Sequence, residues 1–140
     1  MSLNEVNPNG EQKLKSIRKI ISWLVVLLWM GVIFFLSAQS SLPDLTGGLP
    51  DLQDILGHFV AYAGLAFLLT NALTQTGGVK RPFLWALALT VLYGFTDEFH
   101  QGFVPHRHPD LFDILVDTTG AIFALAVAQL WQKRRLKPTR

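Results

Sequence analysis

Four apolar stretches, separated by short polar segments, organise the chain. Residues 20–38 form the first, with no charge inside it. Residues 56–73 form the second, with His58 and Tyr62 near its start. The third, 83–95, runs into Thr96-Asp97-Glu98, and the fourth, 111–131, contains Asp113 and Asp117. A helix needs roughly 20 residues, at ~1.5 Å each, to cross a ~30 Å hydrocarbon core. The first, second and fourth stretches are long enough. The third has about 13 clean residues, near 20 Å, so it crosses only if protein shelters its polar end. The pattern predicts an all-α fold, a four-helix transmembrane bundle. Residues 40–54, with Pro43, Gly47, Gly48 and Pro50, read as a loop between the first two helices.

Charge gives the bundle an expected orientation. Of the 12 basic residues, all but Arg107 lie before the first stretch, between the second and third, or after the fourth. Eight of the 10 acidic residues lie at the opposite ends. The positive-inside bias then places both termini in the cytoplasm and the acids outside. The pI of 9.2 is not a nucleic-acid signal, because the basic residues flank the apolar stretches instead of forming a phosphate-binding face. The sequence has no cysteine, which excludes disulfides, thiolate catalysis and cysteine-ligated metals. The first apolar run exceeds the core of a signal peptide, so an uncleaved span is expected. The division that follows is a disordered cytoplasmic tail at 1–17, a membrane domain at 18–132 and a basic cytoplasmic tail at 133–140.

Counting helical rise from the cytoplasmic ends brings the polar residues to one level. Asp97 and Asp117 lie about 21 Å up, His58 about 24 Å, and Gln101 and Asp113 about 27 Å. Ser37 and Gln39, closing the first span, fall at about 25 to 28 Å. Asp54, His58 and Tyr62 share one face of their helix, as do Tyr93, Asp97 and Gln101 of theirs, and Asp113 and Asp117 of theirs. Gly57, Ala61 and Gly64, and again Gly120, Ala124 and Ala128, form small-residue stripes for close helix approach. Ionised acids at such depth need a partner or an aqueous cavity. Arg107 and the histidines are the available counter-charges, and Arg107 is expected to pair with one or more of Asp97, Glu98, Asp113 and Asp117.

Candidate chemistry centres on His58, Asp97, Glu98 and Asp117, with Tyr62, Gln101, Arg107 and Asp113 as further ligand-binding candidates. His58 and the four acids offer the nitrogen and oxygen donors of a divalent metal, and carboxylates in a partly dry site suit proton transfer. His100, His106 and His108 are close enough in sequence to join. No HExxH pair, Gly-x-Ser-x-Gly elbow or phosphate loop is present to name a reaction. Each residue also has a structural reading. Asp110 and Asp113 suit a helix start after Pro109, His58 and Tyr62 suit interhelical hydrogen bonding, and Tyr93, Trp85 and Trp131 suit packing or interface anchoring.

At these residues the sequence resembles the VanZ-like family of bacterial membrane proteins. The resemblance rests on Phe34 to Ser40, on Asp54, His58, Phe59 and Tyr62, and on the run Tyr93 to Pro105. It continues through Arg107, Asp113 and Gly120 and covers residues 18–132. Ile55 stands where the family often has lysine, and Asp117 where it often has asparagine. The resemblance implies a multi-pass protein of the bacterial cytoplasmic membrane, both termini inside. It also brings an association with resistance to teicoplanin-type glycopeptides. The favoured expectation is non-enzymatic: an outer polar site that binds an envelope lipid or a glycopeptide, or protects against the latter. The alternative is a membrane enzyme, metal- or acid/base-dependent, acting on an envelope lipid or lipid-linked substrate. Expected partners are the bilayer and such a ligand, with no nucleic acid.

Overall fold

A computed structural model describes residues 8–40 and 43–135. These contain four helices and no strand: α1 (Pro8–Ser37), α2 (Pro50–Thr76), α3 (Pro82–Gln101) and α4 (Leu111–Arg135). The helices α1, α2 and α4 are long and apolar enough to cross a membrane, whereas α3 falls short by that measure. This matches the sequence reading, in which the third stretch is the short one.

Helix boundaries depart from expectation at three places. Residues 8–17, expected within a disordered tail, continue α1, and 1–7 lie outside the described residues. Lys13, Leu14, Lys15 and Arg18 are all good helix formers, so the helix has no reason to stop at the apolar boundary. At the other end α4 runs through Arg135, so the expected basic tail is helical at 133–135, and 136–140 lie outside the described residues. Finally, α2 starts at Pro50, inside the expected loop. Proline is accepted in a first helical turn because its missing N–H would have no partner there. Asp54 is thereby placed on the helix.

The centre of the bundle is α2. It packs against every other helix and most extensively against α4, while α1 touches α3 sparsely. Small residues make this possible. A Cβ built on Gly120 of α4 would sit 2.4 Å from the Phe59 carbonyl oxygen, so two backbones meet there. On the other side of α2, Gly64 receives the Trp29 ring, whose Nε1 donates to the Ala61 carbonyl at 2.9 Å. Gly57, the first of its stripe, has nothing within 4 Å and faces open space instead. Leu65, Ala66, Ala72, Ala86 and Ala121 are completely buried at the core. At the basic end, Trp23 Nε1 donates to Thr76 Oγ1 at 3.0 Å, tying α1 to α2.

Much of the apolar surface faces outward. Leu28, Phe35 and Leu115 are more than 60% exposed, and similar residues recur along all four helices. A soluble protein does not present a continuous belt of this kind. Lipid is its natural solvent.

Candidate functional site

The polar residues converge at one end of the bundle. From α2 come Asp54, His58 and Tyr62, each a helical turn apart; α3 contributes Asp97, Glu98 and Gln101; α4 contributes Asp113 and Asp117; α1 contributes Ser37, its last residue. The turn after α3 returns Arg107 to the same region. His106 just before it adopts φ 65°, a left-handed conformation that sharpens the turn.

Two groups form within this end. In the first, His58 Nδ1 lies 3.0 Å from Asp117 Oδ1, with Asp117 almost fully buried. The other ring nitrogen, Nε2, faces Asp113 Oδ2 at 3.9 Å, beyond hydrogen-bond length. Asp117 fits against α3 because residue 94 is glycine: a Cβ there would lie 3.1 Å from Asp117 Oδ2. In the second group, Gln101 Nε2 donates to Asp97 Oδ2 at 3.4 Å and to Glu98 Oε1 at 3.2 Å. Glu98 Oε2 accepts from the Asp110 amide at 2.7 Å. Glu98 is thus engaged in joining the end of α3 to the start of α4, and Asp110 caps that start by accepting from the Phe112 amide at 2.8 Å.

Between the two groups lies a cavity of about 100 Å³, bounded by α1, α2, α3 and the Arg107 turn. Ser37, Gln53, Asp54, His58, Tyr62, Asp97, Gln101 and Arg107 are its polar walls. The Ser37 hydroxyl, the Tyr62 hydroxyl and Asp97 Oδ1 are buried without a well-formed hydrogen bond among the described residues. The Tyr62 hydroxyl and the Asp97 carboxylate interact with each other, by charge and by a hydrogen bond looser than the usual geometry.

Of the expected counter-charges, His58 meets Asp117, but Arg107 does not pair as expected. Arg107 Nη1 meets Asp54 Oδ1 at 3.0 Å, and its Nε donates to the Gln39 carbonyl at 3.2 Å. It pairs with none of Asp97, Glu98, Asp113 and Asp117. Its turn places it over the ends of α1 and α2, while the deeper acids face His58 and Gln101. Ser37, Gln53 and Asp54 are polar wall residues that the candidate set omits. The signal for Asp54 was its spacing of four from His58, and for Ser37 its depth. Of the other histidines, His100 stacks on Phe34 with ring centroids 4.2 Å apart, and His106 and His108 are exposed.

Over this end, residues 43–49 fold onto α2. Gln53 accepts from the Leu45 amide at 2.6 Å and donates to the Pro43 carbonyl at 2.8 Å. Asp44 accepts from the Thr46 amide and hydroxyl and from the Gly48 amide. The Thr46 amide first, then its hydroxyl, hold the Asp44 carboxyl below the usual carboxylate range.

Comparison with known proteins places this arrangement in a family. The uncharacterized protein C11E3.10 of Schizosaccharomyces pombe is 31% identical over 126 residues, which span 88% of this chain and 70% of the relative. No solved structure matches the chain. The VanZ/LLP1 family model matches residues 22–132, from the start of the apolar part of α1 to the end of that of α4. With both the polar end and the close-packed α2–α4 pair inside that match, the chain belongs to the VanZ/LLP1 family as an integral membrane protein.

Proposed function

We propose that the polar end faces the extracytoplasmic side of the membrane and binds the small polar head group of an envelope amphiphile. The orientation follows from the positive-inside bias, with Lys80, Arg81 and the basic segments of both termini at the opposite end. One observation carries the binding reading: the cavity is walled by buried polar atoms of Ser37, Tyr62 and Asp97, none of which has a well-formed hydrogen bond among the described residues. Left dry, each such atom would cost about 1–3 kcal/mol, a cost that a polar ligand in the cavity removes. Arg107 at the rim suits an anionic group, and Asp97 suits a cationic one, so a zwitterionic head group fits both.

Size favours this over direct capture of an antibiotic. Pockets for drug-sized ligands are about 300–1,000 Å³, against about 100 Å³ here. A glycopeptide is larger still. Protection against glycopeptides, in this reading, acts through the bound envelope lipid; unchanged teicoplanin susceptibility on expression in a sensitive Gram-positive host sinks that role. The fungal relative supports a function not tied to antibiotics.

The test is thermal unfolding of the detergent-purified chain titrated with phosphatidylethanolamine, phosphatidylglycerol and a neutral glycolipid. Phosphatidylethanolamine is expected to stabilise the wild type by about 2.7 kcal/mol at 100 times its Kd. Asp97→Asn and Arg107→Ala are expected to lose most of that gain. Equal response to all three lipids, or none to any, rejects the reading.

A further inference from the structure

We propose that Asp54, His58 and Asp113 form a binding site for a divalent metal ion of the zinc or manganese class, with Asp117 orienting the histidine from behind. One donor atom from each of the three residues lies within 4.8 Å of the other two. A tetrahedral ion bound at 2.0–2.2 Å by each donor holds them roughly 3.4 Å apart. The 3.9 Å between His58 Nε2 and Asp113 Oδ2 is within about half an ångström of that.

The histidine supplies the independent argument. Its side chain is only 10% exposed, and its Nδ1 is held at 3.0 Å by Asp117, itself 1% exposed. A carboxylate behind one ring nitrogen fixes the tautomer and directs the other nitrogen's lone pair outward, the usual outer-shell arrangement of a metal-binding histidine. Nε2 faces Asp113 at 3.9 Å without a hydrogen bond to it, and Asp54 joins the two in one group. Arg107 engages one oxygen of Asp54, leaving the carboxylate able to reach an ion through the other. One histidine and two carboxylates make a three-donor set, with room for a further ligand from the cavity side.

The site is narrower than the sequence suggests. Asp97 and Glu98 are drawn off by Gln101 and the Asp110 amide, and Asp117 moves behind the histidine. Asp54 takes their place.

This inference does not depend on head-group binding, because it is tested with metal alone. Full-length, chelator-stripped protein in detergent is titrated with Co²⁺, read by its visible spectrum, then displaced with Zn²⁺. One equivalent per chain is expected in the wild type, and it is expected to raise the thermal midpoint. Asp117→Asn is expected to weaken binding about 10–100-fold, and His58→Ala and Asp113→Asn at least as much. The double variant His106→Ala/His108→Ala, in the exposed turn, is expected to bind as wild type. Should His58→Ala fail to fold by circular dichroism, the part-exposed Asp54→Asn decides, with a loss of binding expected. No binding by folded wild type, full affinity in Asp54→Asn or His58→Ala, or loss in the turn variant overturns the proposal.

Discussion

Two charged contacts at the polar end differ in what surrounds them, and their energies should differ accordingly. The His58–Asp117 contact has both partners almost wholly buried, whereas Asp54 in the Arg107 pair has a side chain 40% exposed. Removing one partner of a buried hydrogen bond costs about 1–3 kcal/mol, and exposed ion pairs give about 0–1. Asp117→Ala is therefore expected to destabilise by about 1–2 kcal/mol. A double-mutant cycle on Arg107 and Asp54 should show a coupling below about 1 kcal/mol. Reversible unfolding in mixed micelles measures both; a larger coupling for Arg107 would invalidate this ranking. Outside the membrane, the Asp44 contacts have a pH consequence. Because the carboxyl is held below its ordinary range, its contribution to loop order is present at neutral pH and fades as pH falls through that lowered value. Protease cleavage within 43–49 is expected to accelerate in acid for the wild type, beyond the enzyme's own pH dependence, and to lose that extra acceleration in Asp44→Asn.

At the scale of elements, the α2–α4 contact has least tolerance. A methyl group on Gly120 meets the Phe59 backbone, which cannot rotate away as a side chain can. Gly120→Ala is expected to cost about 1–3 kcal/mol, in line with overpacked cores, and to lower the thermal midpoint. Gly57→Ala meets nothing and should be neutral, or stabilising by up to about 1 kcal/mol through helix propensity. A similar midpoint for the two variants would contradict the close approach. Residue spacing alone made much of this readable. Four helices, the shortness of α3, the shared faces of α2 and α4 and the small-residue stripes all follow from helical period and composition. What one helix's period cannot provide is its rotation against the next. Depth alone groups Asp97, Glu98, Asp113 and Asp117, yet rotation sends Glu98 to the Asp110 amide and Asp117 to His58. Asp54 gave two conflicting signals, its spacing of four from His58 for the helix and its place in the expected loop against it. Gly47, Gly48 and Pro50 signal a loop, but a proline that opens a helix carries the same letter as one that breaks it.

For the whole molecule, the question is how so short a helix as α3 shares a bilayer with three longer ones. Its 20 residues extend about 30 Å, so the buried pair Asp97 and Glu98 lies within reach of the hydrocarbon. The pair is tolerable there because Gln101, the start of α4 and the Tyr62 face of α2 surround it, while Leu84, Leu92 and Phe95 face outward. The acids are thus sheltered at one end, and the basic residues gather at the other. By the positive-inside bias that asymmetry predicts the proposed orientation, and the absence of cysteine makes it directly testable. Leu45, 85% exposed on the loop above the polar end, and Lys80, exposed in the turn between α2 and α3, mark the two sides. In intact cells, Leu45→Cys should react with a membrane-impermeant maleimide, whereas Lys80→Cys should react only after permeabilisation. The reverse pattern would put the acidic cavity in the cytoplasm and remove the envelope head group as its ligand. It would leave the metal site untouched, because Asp54, His58 and Asp113 meet one another whichever way the bundle is inserted.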